Sequence, residues 1–432
     1  MIDGLEVHEL AVHEDNRGWF KENWGGEKLT PKQQNVSFNA KAGTTRGMHA
    51  EPWDKWVSVS TGRVYGAWVD MREGSATYGE KFGVEIGPGT AVFVPRGVAN
   101  GFQALEDDTT YIYLVNRRYS PGGAFCSYRE IDWPLEPAEL SQKDLEHPML
   151  ADAAPLPPRK ILVTGANGQL GRALRKIWNE KMADFFVRDE FDVVRPPDLD
   201  FSQYWAIVNC AAYNDVNGAE TDRATAWAVN ADAPAGLARI ANDHDLVLVH
   251  VSSDYIFDGN SEVHAEDETA SPLSAYGASK AAGDTAAQVA RRHYVIRTSW
   301  VFGDGANFMS TMADLAKRGV SPQVVSDQRG RPTSAEDLAT GISHLLETGA
   351  EYGVYNITSD GDTAGRDEIA MAVYIGMGCD PSDIHPVTSE EYGKDAAVRP
   401  KESTLSLDKI KNTGFSPSNW RAALAIYLAT LS

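Results

Sequence analysis

The chain has 432 residues, 42% of them hydrophobic and 23% charged, the make-up of an ordinary globular protein with room for two or three domains. A formal net charge of -21 and a pI near 4.9 make most of the surface repel nucleic acid and anionic membrane, so a phosphate-bearing ligand has to be held by local donors. Three scattered cysteines suggest neither a disulfide framework nor a cysteine metal site, and no segment reads as a signal peptide or membrane span, so the expectation is a cytoplasmic protein.

From Met1 to about Pro134 the text consists of short apolar or alternating runs, such as "KWVSVS", "RVYGAWVDM" and "TAVFVP", punctuated by Gly, Pro and Asp. This pattern predicts an all-β sandwich or barrel. The domain is drawn as residues 1–150. Next comes "HPMLADAAPLPPRK", in which Pro155, Pro157 and Pro158 disfavour both helix and sheet pairing, so residues 151–159 are read as a linker. Over residues 160–432 apolar runs such as "KILVTG", "AIVNCAA" and "LVLVHVSSDYIF" alternate with alanine-rich helical stretches. Alternation of this kind predicts an α/β doubly wound parallel sheet with helices on both faces.

Within the second domain, "TGANGQLG" spaces glycines at 165, 168 and 171 between a strand-like run and a helix-like one. Such a turn lets the backbone approach a pyrophosphate and offers helix N-terminal amides to its charge; it also serves as a tight turn with no ligand. "FVRDEFD" supplies Arg188 and Asp189, with Asp192 close behind. An acid favours a free ribose 2'-hydroxyl and an arginine a 2'-phosphate, so the sequence does not choose between NADH and NADPH. In "SAYGASKAAGD", Tyr276 and Lys280 are four apart on a helix-compatible stretch, where an ammonium can depress a phenol's pKa and hold a ribose. Alone, that pair reads as a packing residue and a solvated charge. Ser253, at the end of an apolar strand, lies where such sheets place their ligands, and glycine turn, serine and YxxxK together make a constellation.

The order of these motifs resembles the extended short-chain dehydrogenase/reductases. More narrowly, "GANGQLG", "NCAAYNDVNGAE", "VSSDYIFDG", "YGASKAAGD", "RTSWVFG" and "DQRGRPTSAEDLA" resemble the successive motifs of dTDP-4-dehydrorhamnose reductases. The resemblance implies that Tyr276 protonates the C4 oxygen of a ketosugar, with Lys280 assisting, Ser253 hydrogen-bonding the same oxygen, and NADPH or NADH delivering hydride. It implies Gly165, Gly168, Gln169, Leu170 and Gly171 at the pyrophosphate, Ala211, Ala212 and Tyr213 beside the cofactor, Tyr255 and Trp300 at the substrate, and a small C-terminal substrate lobe. Some members use a magnesium ion, on which the sequence is silent. Ser253 stands where the family usually has threonine, and "GRDEIA" at 365–370 departs from its "SWYEFA"-like stretch.

The first domain, through "DNRGWFKE", "QQNVSFN", "TTRGMHAEPWDKWVSVSTG", "VPRGVANGF" and "LSQKDLEHPML", resembles the dTDP-4-dehydrorhamnose 3,5-epimerases, a cupin-type β-sandwich family. The resemblance implies His49 as base, Asp144 as its orienting carboxylate, Lys55 facing the C4 oxyanion and Tyr113 as acid. Arg17, Gln33, Asn35, Arg46 and Asn100 become contacts to the dTDP-sugar. It also implies a homodimer formed through this domain. No HxH pair with a downstream acid and histidine appears, so no metal is expected. Two positions depart from the family. Asn100 replaces a histidine, and Gly66 replaces an aspartate, which leaves Lys55 less constrained.

The two families catalyse consecutive steps, so the leading expectation is a bifunctional enzyme that epimerises C3 and C5 of dTDP-4-dehydro-6-deoxy-D-glucose and then reduces C4. The alternatives are a reductase whose cupin domain only binds sugar nucleotide or dimerises the chain, and a non-catalytic second domain, against which Tyr276 and Lys280 count.

Overall fold

The structure is a computed structural model and describes every residue except Glu27, Ser120, Pro121, Asp395 and Ser432. The chain divides into two compact units, Met1–Arg159 and Lys160–Ser432.

Alternation of inward and outward side chains builds the first unit from short strands: β1 (Glu6–Glu9), β2 (Val12–Asp15), β3 (Gly18–Lys21), β4 (Gln33–Asn39), β5 (Thr45–Ala50) and β6 (Lys55–Thr61). They are followed by β7 (Val64–Asp70), β8 (Lys81–Ile86), β9 (Thr90–Val94), β10 (Val98–Ala104), β11 (Thr109–Val115) and β12 (Ala124–Phe125). Two five-stranded antiparallel sheets result, in the orders β1-β9-β6-β11-β4 and β12-β5-β10-β7-β8, while β2 and β3 form a separate hairpin. Val57, Val59 and Val92 of the first sheet pack against Val64, Trp68 and Phe102 of the second, giving the core of a sandwich. Here Gly66 has a steric reason, because a Cβ on it would lie 2.6 Å from Cη2 of Trp68 and 2.9 Å from Cδ1 of Ile86. A short helix, α1 (Gln142–Glu146), is capped by the Ser141 side chain.

Residues 151–159 differ from the linker expected of them. The amide of Leu156 donates to Met71 O at 2.7 Å, Leu156 itself is buried among Met71, Val69 and Ala153, and Arg96 and Arg159 reach the carbonyls of Pro157 and Pro52. The buried Leu156 side chain and these hydrogen bonds bind the segment to the first unit.

In the second unit β13 (Lys160–Thr164), β14 (Ala183–Phe186), β15 (Tyr204–Asn209), β16 (Val247–Val251), β17 (His293–Arg297) and β18 (Gly353–Asn356) form a parallel sheet in the order β14-β13-β15-β16-β17-β18. Its principal helices are α2 (Gln169–Ile177), α3 (Ala233–His244), α4 (Ala275–Ala287), α5 (Phe308–Lys317), α6 (Ala335–Thr348), α7 (Arg366–Gly376) and α8 (Trp420–Leu431). Alternate strand residues sort to opposite faces: Val163, Val208, Val249 and Ile296 meet α2 and α6, whereas Leu162, Ile207, Leu248 and Val295 meet α3 and α4. A further core joins α5, α7 and α8 through Met309, Val373, Trp420 and Leu424, forming the smaller lobe expected at the C-terminal end. Strand order reverses at β13, and that switch point is where an open sheet of this kind leaves a crevice.

Candidate active sites

The crevice of the second unit is formed by the turn after β13 and the loops after β15 and β16. Gly165 has a φ of +67°, and a Cβ there would come 2.7 Å from the amide nitrogen of Ala211. Gly168 is the N-cap of α2, while a Cβ on Gly171 would strike Ala166 at 2.7 Å. The turn is therefore a glycine cradle beside a helix N-terminus, shaped for close approach of an anionic group. Two cavities open from it. One of about 350 Å³ is lined by Gly165, Gly168, Arg188, Asp192, Ala211, Ala212 and Tyr213, among others. The other, of about 280 Å³, takes in Gly168, Gln169, Leu170, Gly171, Ser253, Tyr276, Lys280 and Trp300. Of the residues expected at the cofactor only Asp189 is left out; it is exposed and lines neither cavity, so Arg188 and Asp192 are the charged residues that line the larger one.

Ser274 caps α4, which carries Tyr276 and Lys280 one turn apart on its buried face. Lys280 Nζ donates to Val251 O at 2.6 Å. Burial lowers its pKa to about 8 against the opposing charge of Asp284. Burial also raises the Tyr276 phenol, and the influence that lowers it is a hydrogen bond with Ser253. In the chain alone, desolvation outweighs the influences that lower the phenol. Ser253 Oγ donates to Asp254 Oδ1 at 3.0 Å, and burial raises Asp254 to about 6 despite that bond and one from Ser403. Tyr255 packs edge-on to Tyr276 at 6.0 Å, and its hydroxyl accepts from Arg366 Nη2 at 3.0 Å. Arg366 also stacks on Trp300 at 4.5 Å, and sequence reasoning did not single it out, although it lies in the departing "GRDEIA" stretch.

The first unit assembles its site from both sheets. His49, on β5, shares a hydrogen bond from Nε2 to Asp144 Oδ1 at 2.8 Å. With that proton on Nε2, the lone pair of Nδ1 is left available as a base. Burial would raise the Asp144 carboxyl, but the bond and charge of His49, the Ser141 hydroxyl and the Gly47 amide outweigh it and hold the group below its ordinary value. Asn100 pairs in register with His49, so the two share a face of the sheet. Asn100 Oδ1 accepts from the hydroxyl of Tyr111, on β11 of the other sheet, at 3.2 Å. Two residues along β11, Tyr113 shares the face of Tyr111, the two rings lying 6.0 Å apart. The Lys55 ammonium lies 5.8 Å from the Tyr113 ring. The His49 pair and the Lys55–Tyr113 pair thus belong to opposite sheets bridged by the Tyr111–Asn100 bond.

Gln33 and Asn35 join this group from β4, where Asn35 registers with Tyr113 and accepts from Gln33 Nε2 at 2.8 Å. Arg46 donates to Asn39, and burial, with the charge of Glu51, raises the Tyr113 phenol by more than the charge of Arg46 lowers it. Arg17 is not brought in: it lies exposed on the β2–β3 hairpin, with Asp15 as its partner at 3.1 Å.

Two residues that sequence reasoning passed over stand at this site. Glu51 forms an ion pair with Lys55 across the connection between β5 and β6, so Lys55 is not the loosely held group that Gly66 led one to expect. His147 packs on Phe125 at 4.9 Å, with its Nδ1 3.9 Å from Asp144 Oδ1. His49, Asp144 and His147 place donor atoms within 4.8 Å of one another, a set that no HxH spacing announces; it is the one such group found among the described residues. No comparable donor set lies among the described residues of the second unit.

Two families match the chain: dTDP-4-dehydrorhamnose 3,5-epimerase over residues 1–152 and RmlD substrate binding domain over residues 159–432. The probable dTDP-4,6-dihydroxy-2-methyloxan-3-one 4-ketoreductase of Streptomyces antibioticus is 38% identical over 274 residues, which cover 61% of this chain and 92% of that relative. A protein RmlC homolog of Streptococcus pyogenes serotype M6 is 44% identical over 182 residues, covering 37% of this chain and 91% of that relative. Among solved structures, a dTDP-4-dehydrorhamnose reductase from Bacillus anthracis in complex with NADP is similar at a TM-score of 0.58 and 30% identity, covering 63% of this chain and 99% of that one.

Proposed function

This chain belongs to the dTDP-4-dehydrorhamnose 3,5-epimerase family through residues 1–152 and to the RmlD substrate binding domain family through residues 159–432, and on that premise we propose how it performs both steps towards dTDP-L-rhamnose. The substrate is dTDP-4-dehydro-6-deoxy-D-glucose. The observation that carries the epimerase reading is the division of the first site between two facing sheets, with the His49–Asp144 pair on one side and Lys55 with Tyr113 on the other. Inversion beside a ketone needs a base on one face, an acid on the other, and a positive charge for the enolate between them. His49 Nδ1 takes the proton from C3, and afterwards from C5. The released electron pair moves onto the C4 oxygen, where the Lys55 ammonium stabilises it. Tyr113 then returns a proton from the opposite face, and Asp144 holds the imidazolium in place. Gln33, Asn35, Arg46 and Asn100 supply polar contacts around the sugar nucleotide.

In the second unit the glycine cradle, Arg188, Asp192, Ala211, Ala212 and Tyr213 hold a nicotinamide cofactor. When bound, NADPH or NADH supplies hydride to C4. Tyr276 gives its proton to the C4 oxygen, Ser253 hydrogen-bonds the same oxygen, and the Lys280 ammonium favours loss of the phenolic proton as that oxygen gains charge. Trp300 lines the sugar side of the cavity, and Tyr255 packs edge-on against Tyr276 behind it. A homodimer through the first unit fits the edge position of β4, which leaves Val36 and Phe38 exposed. A cytoplasmic setting fits an acidic chain in which no described helix is long and apolar enough to cross a membrane.

The test is to supply purified protein with dTDP-4-dehydro-6-deoxy-D-glucose and NADPH and identify the product sugar by NMR. Rhamnose is expected with no separate epimerase added. His49→Ala should abolish it until an epimerase is supplied, and Tyr276→Phe should stop NADPH oxidation. If the wild-type chain makes rhamnose only with a separate epimerase, the first unit is a binding or assembly module.

A further inference from the structure

Position 66 holds glycine where the resemblance led one to expect a carboxylate. Two observations say where the charge has gone. Position 66 cannot carry a side chain at all while the Trp68 indole and Ile86 fill its space, since a Cβ there meets them at 2.6 and 2.9 Å. Trp68 is wholly buried in the sandwich, so this volume is committed to the core. Meanwhile Glu51, two residues beyond His49, turns its carboxylate onto the Lys55 ammonium, and both groups are largely withdrawn from water, with side-chain exposures of 21% and 6%. An ammonium that deep needs a partner, because an unpaired buried cation either loses its proton or moves to solvent.

We propose that Glu51 is the positioning residue of the epimerase site, holding the Lys55 ammonium in place and aimed at the C4 oxygen. This rests on the epimerase reading given above. The connection 51–54 carries Glu51 back over the start of β6, so an ion pair four residues apart forms where an extended strand would have kept the two groups apart. The same carboxylate acts on the acid. Burial raises the Tyr113 phenol, the negative charge of Glu51 raises it further, and Arg46 opposes them, so Tyr113 stays protonated until the enolate asks for its proton. One side chain thereby serves the oxyanion stabiliser and the proton donor together.

The experiment measures solvent deuterium incorporation at C3 and C5 of the sugar by NMR for wild type, Glu51→Gln and Glu51→Asp, each as the full chain. Reduction of separately epimerised ketosugar by the same preparations, together with heat unfolding, reports whether the chain is folded. Glu51→Gln should lower kcat for exchange about 10- to 100-fold, a fraction of the 100- to 1000-fold typical for losing an oxyanion donor outright. KM should stay within about twofold and reduction should be unaffected. Glu51→Asp, one methylene shorter, should recover part of the rate. Exchange by Glu51→Gln at the wild-type rate, a loss confined to KM, or Glu51→Asp no better than Glu51→Gln would each overturn the proposal. If wild type itself exchanges no deuterium, the epimerase reading fails first and this inference falls with it.

Discussion

Replacing Asp144 by asparagine keeps the shape of the side chain and removes its charge. Oδ1 of Asp144 is 2.8 Å from His49 Nε2, and the carboxylate lies buried behind the ring, so the imidazolium formed during proton abstraction loses its counter-charge without a change of packing. A hydrogen bond to a charged partner is worth ~1.5–3 kcal/mol, which corresponds to a fall in kcat for C3 and C5 exchange of about 10- to 150-fold. The assay is deuterium incorporation at saturating substrate, with ketosugar reduction by the same sample as control. Because the Asp144 carboxyl is held below its ordinary value, the bond is complete above the usual carboxylate range and is lost as pH falls through the depressed folded value. Wild-type kcat in the variant, or a loss appearing only in KM, would refute the assignment of Asp144 to the base.

Three further outcomes follow from the second unit. Lys280 titrates near pH 8, so kcat/KM for reduction should fall about tenfold per pH unit above that value as the ammonium is lost; a flat profile to pH 9.5 would contradict its role. Arg188 lines the cofactor cavity while Asp189 does not, so Arg188→Ala should raise KM for NADPH about 5- to 10-fold and leave NADH unchanged, as steady-state titrations with both cofactors would reveal. Burial raises Asp254 from 3.8 to about 6, a penalty of about 3 kcal/mol for keeping it charged at neutral pH. Its folded pKa lies above the unfolded one, so stability falls as pH rises through 6. Asp254→Asn should accordingly raise the melting temperature of this unit at pH 7, with the gain shrinking towards pH 4.

What could be read from the sequence was what local spacing encodes. Glycines at 165, 168 and 171 and the Tyr276–Lys280 pair lie within one turn or one helix, and their geometry follows from residue offsets alone. The two-sheet and parallel-sheet architectures followed from periods of two and from strand–helix alternation. Glu51 escaped because four residues along a strand are not neighbours, and only the connection before β6 makes them so. His147 escaped because its relation to His49 depends on packing between α1 and β5, and Arg366 because its partners Tyr255 and Trp300 are distant in sequence. Arg17 was placed at the site by its motif, yet its hairpin gives it a partner of its own. The proline-rich segment misled because backbone restriction says nothing about a buried Leu156.

The filled space beside Gly66 has an evolutionary side. A carboxylate cannot be placed at that position by one substitution, because the Trp68 indole and Ile86 would first have to yield their volume. Removing Glu51 before such repacking would strand Lys55, and repacking first would open a void in the sandwich. A charge held by Glu51 and one held at position 66 would thus be separated by a sign-epistatic valley, so that changing residue 51 or 66 alone should cost more than changing 51, 66, 68 and 86 together.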